Sequence, residues 1–213
     1  AKEADKARLK SLQWRISAWK SALVEPNAAL SLAEDELGLA AARLYGDYEQ
    51  ALRAYQAVDF DDLIRLPVRL FESEADVLLR WQGKLQYLLV DEYQDTNRSQ
   101  YRLLRLIAGE RAAFTAVGDD DQAIYAWRGA DVENLRVLQA DFPQLKVIKL
   151  EQNYRSMQRI LKAANALIAN NPKLFEKKLW SAFGDGEPVR VIESDGEEHE
   201  AERAVAFIQS RRA

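Results

Sequence analysis

Apolar positions three and four apart open the chain. Leu9, Leu12, Ile16, Trp19 and Leu23 fall on one stripe of a helix that Pro26 and Asn27 bring to an end, and Ala41, Tyr45, Tyr48, Leu52 and Tyr55 repeat the spacing in a second helix. The two stripes can pack together as seams of a helical pair. Lys2, Lys6, Arg8, Lys10, Arg15 and Lys20 then read as a solvated face opposite the seam rather than as DNA contacts. Asp59 to Ile64 (DFDDLI) begins a third helix with Asp59 as its N-cap, and Pro67 is expected to be poorly tolerated in it. Ser73 to Asp76 resembles a capping box for a short helix carrying Val77, Leu78 and Trp81, which Gly83 ends.

The pattern changes at Leu85. An apolar run of strand length, Leu85 to Val90, stops at two adjacent acids, Asp91 and Glu92, and the polar turn Gln94, Asp95, Thr96, Asn97 follows. A buried parallel strand delivers carboxylates to a sheet edge in this way, and the crevice beyond the carboxyl ends of such strands is where ligands bind. A helix from about Ser99 presents Tyr101, Leu104 and Ile107 or Ala108 to one side and stops at Gly109. A second strand, Ala113 to Val117, then returns parallel to the first by a right-handed crossover. It ends in Gly118, Asp119, Asp120, Asp121 and Gln122. A third junction has the same form: Val147 to Leu150 alternates like a strand and runs into Glu151 to Ser156 (EQNYRS). Ser156 caps a helix through Ile160, Leu161, Ala164, Leu167 and Ile168 that ends before Pro172. Val189 to Ile192 reads as a strand. Glu197 to Ile208 reads as an amphipathic helix with Ala201, Ala204, Val205 and Ile208 inward.

Three strand-to-polar junctions in succession describe one composite site. Asp91 is suited to a hard cation such as Mg²⁺, which prefers oxygen ligands, and Glu92 to orienting a water. On a bare acid pair the plainer reading, charges at a helix N-terminus, is the stronger one. Gln122 can hydrogen-bond a terminal phosphate or an attacking water. Tyr125 and Trp127, two apart, cannot share a helix face; with Arg128 they suit a stacked base and a neutralised phosphate, the alternative being a buried Trp beside an ion-paired Arg. Arg155 can reach toward a phosphate or pair with Glu151. The lone histidine, His199, lies among acids with no second His or Cys nearby and is read as a surface residue.

Taken jointly, DEYQDTN, VGDDDQAIYAWRGA and LEQNYRS resemble the second, third and fourth motifs of superfamily-one DNA helicases of the UvrD/Rep/PcrA type, in the same order. DFPQLKVIKL and RILKAANALIANNP are most similar to the Rep branch. The resemblance implies an ATP-dependent 3′–5′ helicase in which Asp91 coordinates Mg²⁺, Glu92 activates water, Gln122 and Arg155 contact the terminal phosphate and Tyr154 lies against adenine. It further implies that Trp127, with Tyr125 and Arg128, contacts single-stranded DNA, and it makes Phe60 of DFDD a further base contact. Partners would be single-stranded DNA, duplex junctions and replication or repair proteins. Two other readings stay open: a binding module that holds DNA or a replication partner without turnover, and the motor segment of a helicase-nuclease.

The resemblance implies an α/β fold class: part of a P-loop NTPase (RecA-like) parallel sheet with flanking helices, preceded by an all-α segment. The expected division is 1–57, helical part of an inserted subdomain; 58–143, second half of a first motor domain; 144–213, start of a second. No G-x-x-x-x-G-K-[ST] phosphate loop occurs in the sequence, so the expectation is an internal segment that is inactive alone. Composition adds little. With 213 residues and 48% hydrophobic content the chain can bury a core, and 30 basic against 34 acidic residues give a net charge of −4, which by itself does not advertise nucleic acid. Zero cysteines exclude a disulfide framework. No run of membrane-spanning length occurs, and the sequence reads as cytoplasmic.

Overall fold

A computed structural model of the chain describes residues 2–212, the side chains of residues 2–4, 128 and 212 excepted. It divides into two compact units, one reaching to Val147 and including Lys173–Phe175, the other comprising Ile148–Pro172 and the residues from Glu176 onward.

In the first unit the opening stripes do form helices. α1 (Lys2–Ser21) and α3 (Glu36–Ala54), with the single turn α2 (Pro26–Ala29) between them, enclose Ile16, Trp19, Ala29, Ala41, Ala42 and Tyr45. Trp19 and Tyr45 stack with centroids 6.2 Å apart, and the Tyr45 hydroxyl donates to the Val24 carbonyl at 3.1 Å. Asp35 caps α3, accepting from the Gly38 amide. The stripe fades at its ends, where Leu9 and Tyr55 are exposed.

α4 (Asp62–Ser73) runs through Pro67, contrary to the expectation. Interior proline costs about 3 kcal/mol, but Val68 and Phe71 on either side of the next turn are buried and hold the helix in place. The N-cap position falls at Asp61, which makes no side-chain cap, rather than at Asp59; Asp59 instead accepts from the Asp62 amide at 2.9 Å ahead of the helix. The capping box at Ser73 does not form: the Ser73 hydroxyl donates back to Leu70 O, and α5 (Ala75–Lys84) starts without a side-chain cap and passes through Gly83.

One face of the opening helix departs from the sequence reading. Lys6, Arg8 and Lys10 are exposed and Arg15 pairs with Asp35, whereas Lys20 has no exposed surface. Its ammonium lies 2.9 Å from Glu49, 2.6 Å from Asp59 and 2.9 Å from Asp62. Arg65, equally buried, joins the same Glu49 and Asp62. A helical spacing says which residues share a face; only the approach of α4 shows that Lys20 is covered. Burial alone would lower the Lys20 pKa, but hydrogen bonds to Asp59, Glu49 and Asp62 outweigh it and hold the ammonium above 10.5. Burial pushes the neighbouring Tyr48 phenol up to about 12, and its hydrogen bond to Asp59 adds to the shift.

The sheet is small. β1 (Leu88–Val90) and β2 (Phe114–Ala116) pair parallel with Leu88 opposite Phe114 and Val90 opposite Ala116. α6 (Arg98–Ala108) connects them, opened by an Asn97–Gln100 capping box and closed by Gly109 at φ +52°. Tyr101, Leu104 and Ala108 of α6 pack with Tyr93, with Leu138 of α7 (Glu133–Asp141) and with Phe142 just beyond it, against one face of the strands. Phe114 meets Phe142 edge-on at 4.8 Å.

In the second unit α8 (Gln158–Ile168) follows the fourth-motif turn, and α9 (Glu197–Arg212) forms as expected. Asn165 binds the backbone of Leu179 from both sides, its amide donating to the carbonyl at 2.8 Å and its oxygen accepting from the N–H at 3.1 Å. Ser156 does not cap α8; Asn153 accepts from the amides of Arg155 and Ser156 instead. Neither Val147–Leu150 nor Val189–Ile192 is a strand, and Ile148, Leu150 and Val191 are exposed. Alternation needs a neighbouring ladder before it becomes a strand; among the described residues the only pairing here is a single bridge between Gln152 and Trp180. Ala201, Ala204, Val205 and Ile208 of α9 are exposed rather than inward, because nothing described in this unit packs on that stripe.

Candidate active site at the carboxyl ends of the strands

Parallel pairing brings the acid pair and the amide turn together. The Val117 amide donates to Val90 O at 2.8 Å and the Tyr93 amide to Val117 O at 2.9 Å, so the ladder continues past both strands and their polar ends lie side by side. Chain reversal begins at Glu92, which takes the left-handed conformation, φ +48° and ψ +45°. A side chain there is strained unless its surroundings hold it, and such strain concentrates at functional sites. Below it Tyr93 is fully buried, and desolvation drives its phenol pKa far upward.

Four residues then form one chain of hydrogen bonds, one link of it through a backbone amide. The Gln94 amide nitrogen donates to Glu92 Oε2 at 2.9 Å. Gln94 Oε1 accepts from the Asp119 amide at 3.0 Å. Asp119 in turn accepts from Gln122 Nε2 at 2.8 Å on Oδ2 and from the Asp121 amide at 3.1 Å on Oδ1. The second and third motif stretches are therefore one structure. Gln94, only 1% exposed, is its hub, and the sequence reading passed over it: an amide among acids was visible, but its burial was not.

Asp91 and Glu92 are exposed, as is Gln122. Asp91 Oδ1 accepts from the Glu92 amide at 2.9 Å, and no ion pair engages its carboxylate among the described residues. Asp119, Asp120 and Asp121 bring one carboxylate oxygen each within 4.8 Å of one another. Asp95 keeps one carboxylate oxygen buried without a hydrogen-bond partner among the described residues. The turn is anchored from behind by Asn134, whose amide donates to Thr96 O at 2.8 Å.

The aromatics of the third motif are not core. Trp127 is 66% exposed and Tyr125 37%, with ring centroids 6.3 Å apart. The side chain of Arg128 lies outside the described residues. Phe60 is 91% exposed and takes no part in the core. Ser21 stands between the two segments: its hydroxyl donates to Asp61 at 3.3 Å, and its Cβ lies 3.8 Å from the position a Cβ on Gly129 would take. Asp61 and Gly129, each close in sequence to one of these aromatics, thus both lie beside Ser21.

In the second unit Tyr154 and Arg155 are both exposed on the turn that Asn153 organises. The alternative ion pair of Arg155 with Glu151 does not form; Glu151 accepts from the Lys178 amide at 2.8 Å. His199 lies at the surface, 3.1 Å from Asp195. No helix among the described residues is long and apolar enough to cross a membrane.

Comparison with known proteins agrees with the motif order. The profile of the UvrD/REP helicase N-terminal domain matches residues 1–143, and that of the UvrD-like helicase C-terminal domain residues 148–212. The ATP-dependent DNA helicase Rep of Escherichia coli (strain K12) is 56% identical over 97% of this chain and 31% of its own length. The Rep helicase of Buchnera aphidicola subsp. Acyrthosiphon pisum is 47% identical over 96% of the chain, and the ATP-dependent DNA helicase PcrA of Staphylococcus aureus (strain Mu50 / ATCC 700699) 44% over 91%. The chain spans about a third of the length of these relatives, or less. With its third-motif turn built onto its second and both family profiles matched in sequence, the chain belongs to the UvrD/REP helicase family.

Proposed function

We propose that the chain is the middle of an ATP-dependent 3′–5′ DNA helicase, in which residues 1–57 belong to an inserted helical subdomain, 58–143 complete a first RecA-like motor domain and 144–213 begin a second. The carrying observation is the hydrogen-bonded chain from Glu92 through Gln94 and Asp119 to Gln122 at the carboxyl ends of two parallel strands. Open α/β sheets bind nucleotides there.

In this reading Glu92 orients the attacking water and accepts its proton, and Gln122 hydrogen-bonds the terminal phosphate. The carboxylate of Asp91, unengaged by any ion pair among the described residues, fits a hard divalent cation. Mg²⁺, when bound, neutralises phosphate charge. Arg155 stabilises charge developing on the transferred phosphoryl group, and Tyr154 lies against the adenine ring. Trp127, Tyr125, Arg128 and Phe60 form a track for single-stranded DNA in which rings stack on bases, which lets a chain of net charge −4 bind a polyanion locally. The 213 residues alone do not hydrolyse ATP appreciably, because a composite site fails when one part is absent.

The test is DNA-stimulated ATP hydrolysis in a protein of the relatives' full length that carries this segment. Glu92→Gln should lower turnover by about 10²–10⁴-fold, the usual contribution of a positioned base. Turnover equal to that of the unaltered protein would remove Glu92 from this role; a full-length protein that binds single strands without hydrolysing ATP would make the segment a binding module.

A further inference from the structure

The geometry points to Gln94 as the positioning residue that aims the Glu92 carboxylate and ties its orientation to the Gln122 turn. This rests on the proposed role of Glu92 and adds to it a residue that touches no nucleotide.

Glu92 is exposed, so core packing does not hold its carboxylate in one orientation. Its recorded side-chain partner is the Gln94 amide nitrogen, at 2.9 Å. That amide is itself fixed. Gln94 is 1% exposed, and its oxygen accepts from the Asp119 backbone at 3.0 Å, which settles which end of the amide faces Glu92. Gly118 admits the approach: a Cβ there would stand 3.0 Å from Gln94 Oε1 and 3.3 Å from the Gln94 backbone nitrogen. Since Asp119 also holds Gln122 at 2.8 Å, a shift of the third-motif turn moves the Gln94 oxygen's partner and, through the rigid amide, the donor on Glu92. A buried amide bridging two polar turns transmits displacement because leaving either of its ends unpaired costs the desolvation of a buried polar group. Contact of Gln122 with a phosphate and alignment of Glu92 are thereby linked through four residues, Gln122, Asp119, Gln94 and Glu92.

Two substitutions separate positioning from packing. Gln94→Met removes both hydrogen bonds at similar volume. Gln94→Glu keeps an oxygen for the Asp119 amide and turns a second carboxylate oxygen toward Glu92. In the full-length protein, with single-stranded DNA present, both should lower kcat about 10- to 100-fold, the range seen when a supporting residue that orients a functional group is removed. KM for ATP should change by less than about twofold, because the loss falls on turnover and not on binding. In a Glu92→Gln background, adding Gln94→Met should change the residual kcat by less than about twofold, since residues acting as one unit are non-additive. The inference is overturned if Gln94→Met costs the same factor with or without Glu92, if KM rises while kcat holds, or if Gln94→Glu behaves like the unaltered protein. Should Gln94→Met lose its cooperative thermal transition, Gln94→Glu alone decides by the same kcat and KM criteria. A fully active Glu92→Gln protein would instead remove the base assignment on which the role of Gln94 stands; a Glu92→Gln protein with strongly lowered but measurable kcat and an additive Gln94→Met loss removes only Gln94.

Discussion

Removing Lys20 should destabilise the first unit far more than a charge on a helix surface could. The ammonium meets Glu49, Asp59 and Asp62 at 2.6–2.9 Å with no exposed surface of its own. Lys20→Met leaves the Arg65 guanidinium to balance three carboxylates, two of which it contacts, Glu49 and Asp62. Asp59 keeps only neutral donors, the Tyr48 hydroxyl at 3.0 Å and the Asp62 amide at 2.9 Å. Breaking a buried pair by taking away one partner costs about 3–5 kcal/mol. At about 2–4 °C per kcal/mol for a chain of this size, the midpoint should fall by roughly 10 °C. Urea denaturation followed by tryptophan fluorescence reads the loss, since Trp19 is buried in the adjoining core. Asp59→Asn should be destabilising in the unaltered protein and stabilising in Lys20→Met, a reversal of sign that only direct coupling produces. A Lys20→Met protein within about 0.5 kcal/mol of its parent, the range for ordinary surface changes, would refute the reasoning.

The same cluster sets a pH window, and two exposed-residue substitutions and one glycine complete the expectations. Burial would raise the Asp59 pKa, but hydrogen bonds from Lys20, the Asp62 amide and Tyr48 lower it below 3.8, so its contribution is present above that value and lost as acid protonates the folded form. Lys20 is shifted above 10.5, so its contribution is complete below 10.5 and lost as pH rises through the folded value, and that of the raised Tyr48 phenol is lost in the same way above 10.0; urea midpoints should fall as acid protonates Asp59 and again as pH rises above about 10. Trp127→Ala should weaken single-strand binding of the full-length protein by about 1–3 kcal/mol, measured by fluorescence anisotropy. Phe60→Ala should do likewise while changing the unfolding free energy by less than about 0.5 kcal/mol, given its 91% exposure. Gly109→Ala puts a Cβ 2.6 Å from Gln82 Nε2 on backbone at φ +52°, displacing the Gln82 bond to Leu106 O; a loss of about 1–2 kcal/mol in urea denaturation is expected.

What could be read without coordinates was what depends on neighbours in sequence. Helices α1, α3 and α6 followed from three-and-four spacing, Gly109 from its fit to a helix end, and the parallel β1 and β2 from apolar runs that stop at polar residues. The candidate motif was legible for the same reason: Asp91 and Glu92 directly follow β1, and Gln122 lies in the polar turn that follows β2. Tertiary structure decided the rest. Pro67 is helical because α4 is held by Val68 and Phe71, and Lys20 is interior because α4 covers it. Val147–Leu150 and Val189–Ile192 alternate correctly yet are not strands, and the α9 stripe stays exposed, because a pattern supplies half of a contact and packing must supply the other half. Gln94 shows the same division within the site. Its identity was plain in DEYQD, but its function as hub depends on Asp119, twenty-five residues away, and only the pairing of two strands brings that backbone amide within 3.0 Å.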